Sequence, residues 1–192
     1  ISLNKHLNRD EIRDVDRGFI TEIVYGTVKW KLTIDWIISR YSSVRINRIS
    51  SWVLNILRMG IYQILYMDRV PDSAACNESV NLAKKYGNPG SVGFVNGLLR
   101  NISRNREKLR IPEKKDGLVE YLSVRYSHPE WMVEKFLGLF GEKFTEELLE
   151  CNNRVPDYTV RVNTLKITRE GLVERLKGSE VEADAGRYCS EA

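Results

Sequence analysis

The side chains best placed to do chemistry are cations. Lys5 and Arg9 near the start, Lys29 and Lys31 on either side of one helix junction, and Arg100, Arg104, Arg106 and Lys108 in one short stretch are residues suited to phosphate contacts. Each phosphate that such a group neutralises releases condensed counterion, which is how a basic surface holds a polyanion. An ordinary reading competes, because cations at the end of a helix complement its macrodipole, and a single Lys or Arg is more often surface than site. The distribution of charge is more informative. Residues 1–110 hold 18 Lys+Arg against 10 Asp+Glu, a net of +8, whereas residues 111–192 hold 12 against 16, a net of −4. The basic first half is what a polyanion-binding surface needs.

Catalytic and metal-binding patterns are missing from the sequence. Cys76, Cys151 and Cys189 are an odd number, widely separated and without a Cys-x-x-Cys pair, and His6 and His128 are the only histidines. Neither a zinc site nor a disulfide framework is expected. Cys76, followed by Asn77 and Glu78, has no general base in reach, and no Ser/His/Asp order is present. Gly87-Asn-Pro-Gly is a turn without the preceding strand that a nucleotide-binding loop requires. Glu146-Glu147 reads as a solvated helix face. No catalytic residue and no metal ligand is assigned.

The elements that must carry the cations are helical. Asp10 to about Trp30 has acidic residues in its first turn and Phe19, Ile20, Ile23, Val24, Thr27 and Val28 on one side, with Gly26 inside at a close helix contact. A second helix covers Lys31–Tyr41. Ser50–Met67 is apolar nearly all round and is expected to be central and buried. Asp72 or Ser73 caps a helix to Tyr86, closed by Gly87 as a left-handed cap. From Ser91 a further helix leads into the arginines. Residues 111–126 form a connector with a short helix around Leu118–Tyr121. A capping box of Ser127 and Glu130, with Pro129 in the first turn, starts the next helix. Another follows from Glu142 to about Asn153, with Phe144, Leu148 and Leu149 inward.

The texture then changes. Tyr158–Leu165 alternates with period two and is expected to be a strand, with Val160 and Val162 on one face and Arg161 and Asn163 on the other. Thr168 caps a short helix, and Val181–Ala185 is a candidate second strand. Arg161, Asn163 and Lys166 are assigned to a domain interface or to RNA. Arg58 is expected to pair with Glu22 or Glu78, and Asn77 and Asn96 to satisfy helix-end or interhelical hydrogen bonds. No apolar run approaches the roughly 20 residues that span a bilayer, and no signal peptide is evident, so a cytoplasmic protein is expected.

Several stretches carry a resemblance. Asp16-Arg-Gly-Phe-Ile-Thr-Glu-Ile-Val-Tyr-Gly-Thr-Val, Leu57-Arg-Met-Gly-Ile-Tyr-Gln-Ile-Leu, Asn77-Glu-Ser-Val-Asn-Leu-Ala-Lys and Gly93-Phe-Val-Asn-Gly-Leu-Leu-Arg resemble the NusB-like RNA-binding domain. Arg125-Tyr-Ser-His-Pro-Glu-Trp and Arg161-Val-Asn-Thr-Leu-Lys, in that order, extend the resemblance to the bacterial ribosomal RNA small-subunit methyltransferase B family. What the resemblance implies is a mainly α protein: a NusB-like helical bundle over 1–110, a connector over 111–126, and over 127–192 two further helices and the start of a small α/β subdomain. It implies as partners small-subunit ribosomal RNA and a C-terminal domain that makes 5-methylcytosine with S-adenosylmethionine. The family's Pro-Cys and Thr-Cys signatures do not occur, so none of the three cysteines inherits the nucleophile role. The chain is expected to be an inactive, cofactor-free N-terminal fragment that targets RNA. A stand-alone NusB-type antitermination module is the alternative, and it leaves the stretch after Arg125 without a use.

Overall fold

The computed structural model describes residues 2–7, 12–156, 158–186 and 189. Its helices are α1 (Ser2–Leu7), α2 (Asp14–Lys29), α3 (Lys31–Tyr41), α4 (Ser51–Tyr66), α5 (Asp72–Tyr86), α6 (Pro89–Arg104), α7 (Leu118–Tyr126), α8 (Glu130–Asn152) and α9 (Arg169–Lys177). The chain divides into two compact units, Ile1–Asn153 and Arg154–Ala192.

In the first unit α4 is the central element, as its nearly continuous apolar sequence requires. It packs against α5 and α6 and also against α2 and α3. Leu57, Ile61 and Ile64 of α4 meet Ile34 and Ile38 of α3, Ala75 and Ala83 of α5, and Val95, Leu99 and Ile102 of α6 in one buried core. Burying a branched apolar side chain contributes about 1.5–3 kcal/mol, so this cluster dominates the stability of the bundle. The close contact expected at Gly26 is present: α2 runs through it without a break, and a Cβ there would lie 1.9 Å from Cζ of Tyr62.

A smaller core joins α7 and α8 through Leu122, Val133 and Leu149. It is tied to α2 and α3 by polar contacts. The Thr33 hydroxyl donates to the Val124 carbonyl at 2.5 Å, the Leu32 N–H donates to Ser127 Oγ at 3.1 Å, and the Lys29 ammonium donates to the Asn153 carbonyl. Residues 118–153 are thus fastened to the helical bundle instead of hanging from a loose connector.

Five local expectations are corrected. Ser127 makes no capping box: it is the left-handed C-cap of α7 (φ 57°, ψ 42°), Pro129 occupies the N-cap of α8, and the Ser127 oxygen is taken by Leu32 of a distant helix. Gly87 is extended (φ −100°, ψ −166°) and not left-handed; glycine is needed because a Cβ would lie 2.1 Å from Ser91 Oγ. Asn88 caps α6, accepting from the Ser91 N–H at 3.0 Å, so that helix begins at Pro89. Phe144 is 53% exposed and not inward: it ends a ladder of rings, Phe136–Phe140–Phe144, of which only Phe136 packs against the core of Leu122, Val133 and Leu149. The two helices expected around Gly141 are joined end to end, with that glycine marking a kink at φ 74°.

In the second unit Thr168 caps α9 as expected, accepting from the Gly171 N–H at 3.2 Å. No strand is present among the described residues, so the α/β texture expected from Tyr158 onward is not realised there. Alternation gives a strand only when a neighbour supplies the ladder bonds. Here the Asn163 carbonyl accepts from the N–H groups of Lys166 and Ile167, which makes a turn, and Val162 is buried while Val160 is exposed.

Candidate nucleic-acid interface

Arg100 and Arg104 stand four residues apart on α6 and therefore share a face. Each is held by its own helix: the Arg100 Nε–H donates to Asn96 Oδ1 at 2.8 Å, and the Arg104 Nε–H donates to the Arg100 carbonyl at 3.2 Å. With Ser73, Cys76 and Asn77 from the first turns of α5 they line a groove of about 490 Å³. Its rim is fixed where the Ser103 hydroxyl donates to Asp72 Oδ2 at 2.6 Å. Two held guanidiniums beside a hydroxyl and an amide form a surface on which an oxyanion can be bound by several donors at once. Asp72 is the one carboxylate in that lining.

The other predicted cations fall elsewhere. Lys5 is exposed on α1, Lys31 is exposed at the start of α3, and Lys108 is exposed in the turn after α6. Arg9 lies outside the described residues. Lys29 is half-buried and braces the Asn153 carbonyl. Arg106 closes over the end of α4, where its Nη2 donates to the Leu65 carbonyl at 3.0 Å and to Asp68 at 3.3 Å. Arg161, Asn163 and Lys166 are exposed in the second unit, around the turn at 163–166.

Arg58 pairs with neither Glu22 nor Glu78. It makes a two-pronged ion pair with Asp35 at 2.6 and 2.7 Å and donates to Asn55 at 2.9 Å. Glu22 instead accepts from the Tyr62 hydroxyl at 2.5 Å. Asn96 makes its hydrogen bond to Arg100, and Asn77 is exposed on the groove. His128 lies within α7–α8 packing, its Nδ1 2.7 Å from the Tyr126 carbonyl; a carbonyl only accepts, so the proton is on Nδ1. Burial pushes the Cys76 thiol up from its usual pKa, helped by Asp72 and opposed by Arg100, which keeps it protonated rather than nucleophilic. Among the described residues no cluster of His, Cys, Asp or Glu could hold a metal ion, and no helix is long and apolar enough to cross a membrane.

One feature escaped the sequence reading. Trp52, in the first turn of α4, is 63% exposed and stacks on Tyr86, the last residue of α5, which is 43% exposed. The ring centroids are 5.3 Å apart with an interplanar angle of 13°, and Lys85 Nζ lies 5.2 Å from the Tyr86 centroid. The available signal was an absence. No Asp or Glu occurs from Trp36 to Met67, a stretch with four arginines, nor from Ser79 to Arg106, a stretch with five Lys and Arg. With Arg58 neutralised by Asp35, the rest of that charge has no acidic neighbour within its own stretch of chain.

Comparison with known proteins gives two successive matches. The model described as the NusB family matches residues 1–104, and that described as the Methyltr_RsmF/B-like, ferredoxin-like domain matches residues 128–192. Among curated relatives, proteins named "Probable ribosomal RNA small subunit methyltransferase B" are 32% identical over 99% of this chain in Bacillus subtilis and 34% identical over 92% of it in Synechocystis. The Pseudomonas syringae protein named "Ribosomal RNA small subunit methyltransferase B" is 30% identical over 99% of the chain. The matches cover 42%, 39% and 40% of those proteins, so the chain spans about two-fifths of their length. A solved structure described as "Crystal Structure of PH0851" superposes with a TM-score of 0.63 at 22% identity, covering 95% of this chain and 40% of that one, which is a likeness of fold.

Proposed function

The chain belongs to the NusB family, and from that premise we propose that it is the RNA-binding, substrate-targeting N-terminal region of an S-adenosylmethionine-dependent ribosomal RNA cytosine-5 methyltransferase. The observation that carries this reading is the order of the two matches, a NusB bundle followed, after residues 105–127, by a methyltransferase-associated segment. A stand-alone antitermination module gives residues 128–192 no role.

The chain's own residues bind and orient RNA. Arg100 and Arg104, held from within α6, meet backbone phosphate, and Lys5, Arg9, Lys31 and Lys108 add unspecific attraction. Lys29 and Arg106 contribute charge at long range while their donors hold the fold. Arg161, Asn163 and Lys166 face either RNA or the methyltransferase domain of the whole protein. The described residues do not fit S-adenosylmethionine itself: they contain no strand from which a glycine-rich turn could lead into a helix, and the groove beside Arg100 and Arg104 lies between helices. Methyl transfer, supplied by that cofactor where it is bound, is therefore assigned to the remainder of the whole protein.

The test is a titration of the 192-residue chain against a small-subunit ribosomal RNA hairpin over a range of salt. Affinity should fall linearly with salt on logarithmic axes, with a slope of about −0.7 to −0.9 per phosphate contacted. Binding no tighter than that of a neutral protein, with no slope, would overturn the proposal.

A further inference from the structure

We infer that the Trp52–Tyr86 stack is a platform for an unpaired nucleobase, so that the RNA recognised by this face is single-stranded at that point. The inference rests on the RNA-binding reading above and adds the form of RNA.

Trp131 is as exposed as Trp52, so exposure alone does not single out this site; what does is that two exposed rings are already stacked face to face with cations beside them. Tyr86 covers one face of the Trp52 indole, and the 63% exposure leaves the other face open. Two parallel rings already stacked at 13° are rigid, because each restrains the rotamers of the other, so little conformational freedom remains to be lost when a third ring adds to the pile. The chemistry around the pair selects the third ring. Lys85 stands over Tyr86, and Arg45 and Arg48 precede Trp52 in the acid-free stretch, all three exposed. The first turn of α4 contains no acidic residue, and its N-cap Ser50 makes no side-chain cap, so the amides that open this helix favour an anion. A flat apolar partner flanked by negative charge fits this surface. A nucleotide in an RNA strand has both, whereas an apolar peptide face lacks the charge. A base inside an A-form duplex presents only its edges; its flat face is available when the strand is unpaired.

The inference is tested with the 192-residue chain, a short unstructured RNA and a blunt RNA duplex of the same length. Trp52 is exposed, so Trp52→Ala should leave the far-ultraviolet circular dichroism and melting temperature unchanged. It should weaken binding to the unstructured RNA by about 5- to 150-fold, with no change in salt slope and no change in duplex affinity. Trp52→Phe should retain most of the affinity. RNA should quench tryptophan emission in the wild type, and that quenching should shrink in Trp52→Phe although Trp30, Trp36 and Trp131 remain. If Trp52→Ala binds the unstructured RNA as the wild type does, or loses affinity for both RNAs equally, the platform is wrong while salt-dependent RNA binding still stands. If the wild type shows no salt-dependent binding to either RNA, the underlying RNA reading fails and the platform falls with it.

Discussion

Replacing Gly18 and Gly26 by Ala, two positions of α2, should move stability in opposite directions. Helix propensity alone favours both changes by about 1 kcal/mol. Nothing lies within 4 Å of a methyl at Gly18, so Gly18→Ala should stabilise by up to about 1 kcal/mol. At Gly26 the same methyl would sit 1.9, 2.1 and 2.5 Å from Cζ, Oη and Cε1 of Tyr62. Carbon atoms in contact stand about 3.5–4.0 Å apart, so the ring must withdraw by roughly 1.5 Å. That movement breaks the 2.5 Å hydrogen bond from Tyr62 to Glu22 and disturbs the stack on Tyr66, whose centroid is 5.5 Å away. With Glu22 exposed, the lost bond counts for about 1.5 kcal/mol, at the low end for a charged acceptor. Overpacking adds about 1–3 kcal/mol. After subtracting the propensity gain, Gly26→Ala should destabilise by about 1.5–3.5 kcal/mol, or about 3–14 °C in Tm for a folding unit of this size. Urea unfolding followed by circular dichroism measures both variants. In a Tyr62→Leu background the loss from Gly26→Ala should shrink, because the ring it strikes is gone. Equal stability of Gly26→Ala and wild type, or the same sign of change at both glycines, would refute the close α2–α4 contact.

Three further outcomes are expected. Reversing both groove cations, Arg100→Glu with Arg104→Glu, should weaken binding to the small-subunit hairpin across all salt concentrations and reduce the salt slope by about 1–2, with unfolding unchanged; an unaltered slope would place the phosphate contacts elsewhere. Arg58→Ala should destabilise by about 2–3 kcal/mol in the same urea assay, since it leaves Asp35, only 20% exposed, without its two-pronged partner; Arg58→Lys should recover less than half, because an ammonium cannot make both bonds. Burial pushes the Tyr66 hydroxyl up from 10.0 to about 12, and desolvation followed by the Glu22 hydrogen bond pushes Tyr62 up as well. The native state holds these protons more tightly than the unfolded chain does, so the stability they contribute is complete below about pH 10 and is lost as pH rises toward 12. Tm measured through that window should fall less steeply in Tyr66→Phe than in the wild type.

The helices were legible because each is written locally. Lys31–Tyr41 follows from periodicity, and Thr168 from its capping pattern. The Ser127 capping box had the same local support and did not form. A hydroxyl that satisfies a cap in one reading satisfies the Leu32 amide in the structure, 95 residues away. The same limit governs the candidate interface. Lys29 and Arg106 looked like phosphate contacts until the carbonyls of Asn153 and Leu65, 124 and 41 residues distant, took up their donors. Ser50–Met67 is expected to be buried because it is apolar nearly all round, yet Trp52 lies at the helix end, where such a helix need not be covered on every side. Arg100 and Arg104 share a face, since a separation of four on one helix fixes that whatever packs nearby. Local spacing therefore determines which side chains stand together on an element. What lies opposite them is set by contacts between distant segments, and for this chain that difference separates the cations that brace the fold from those left exposed.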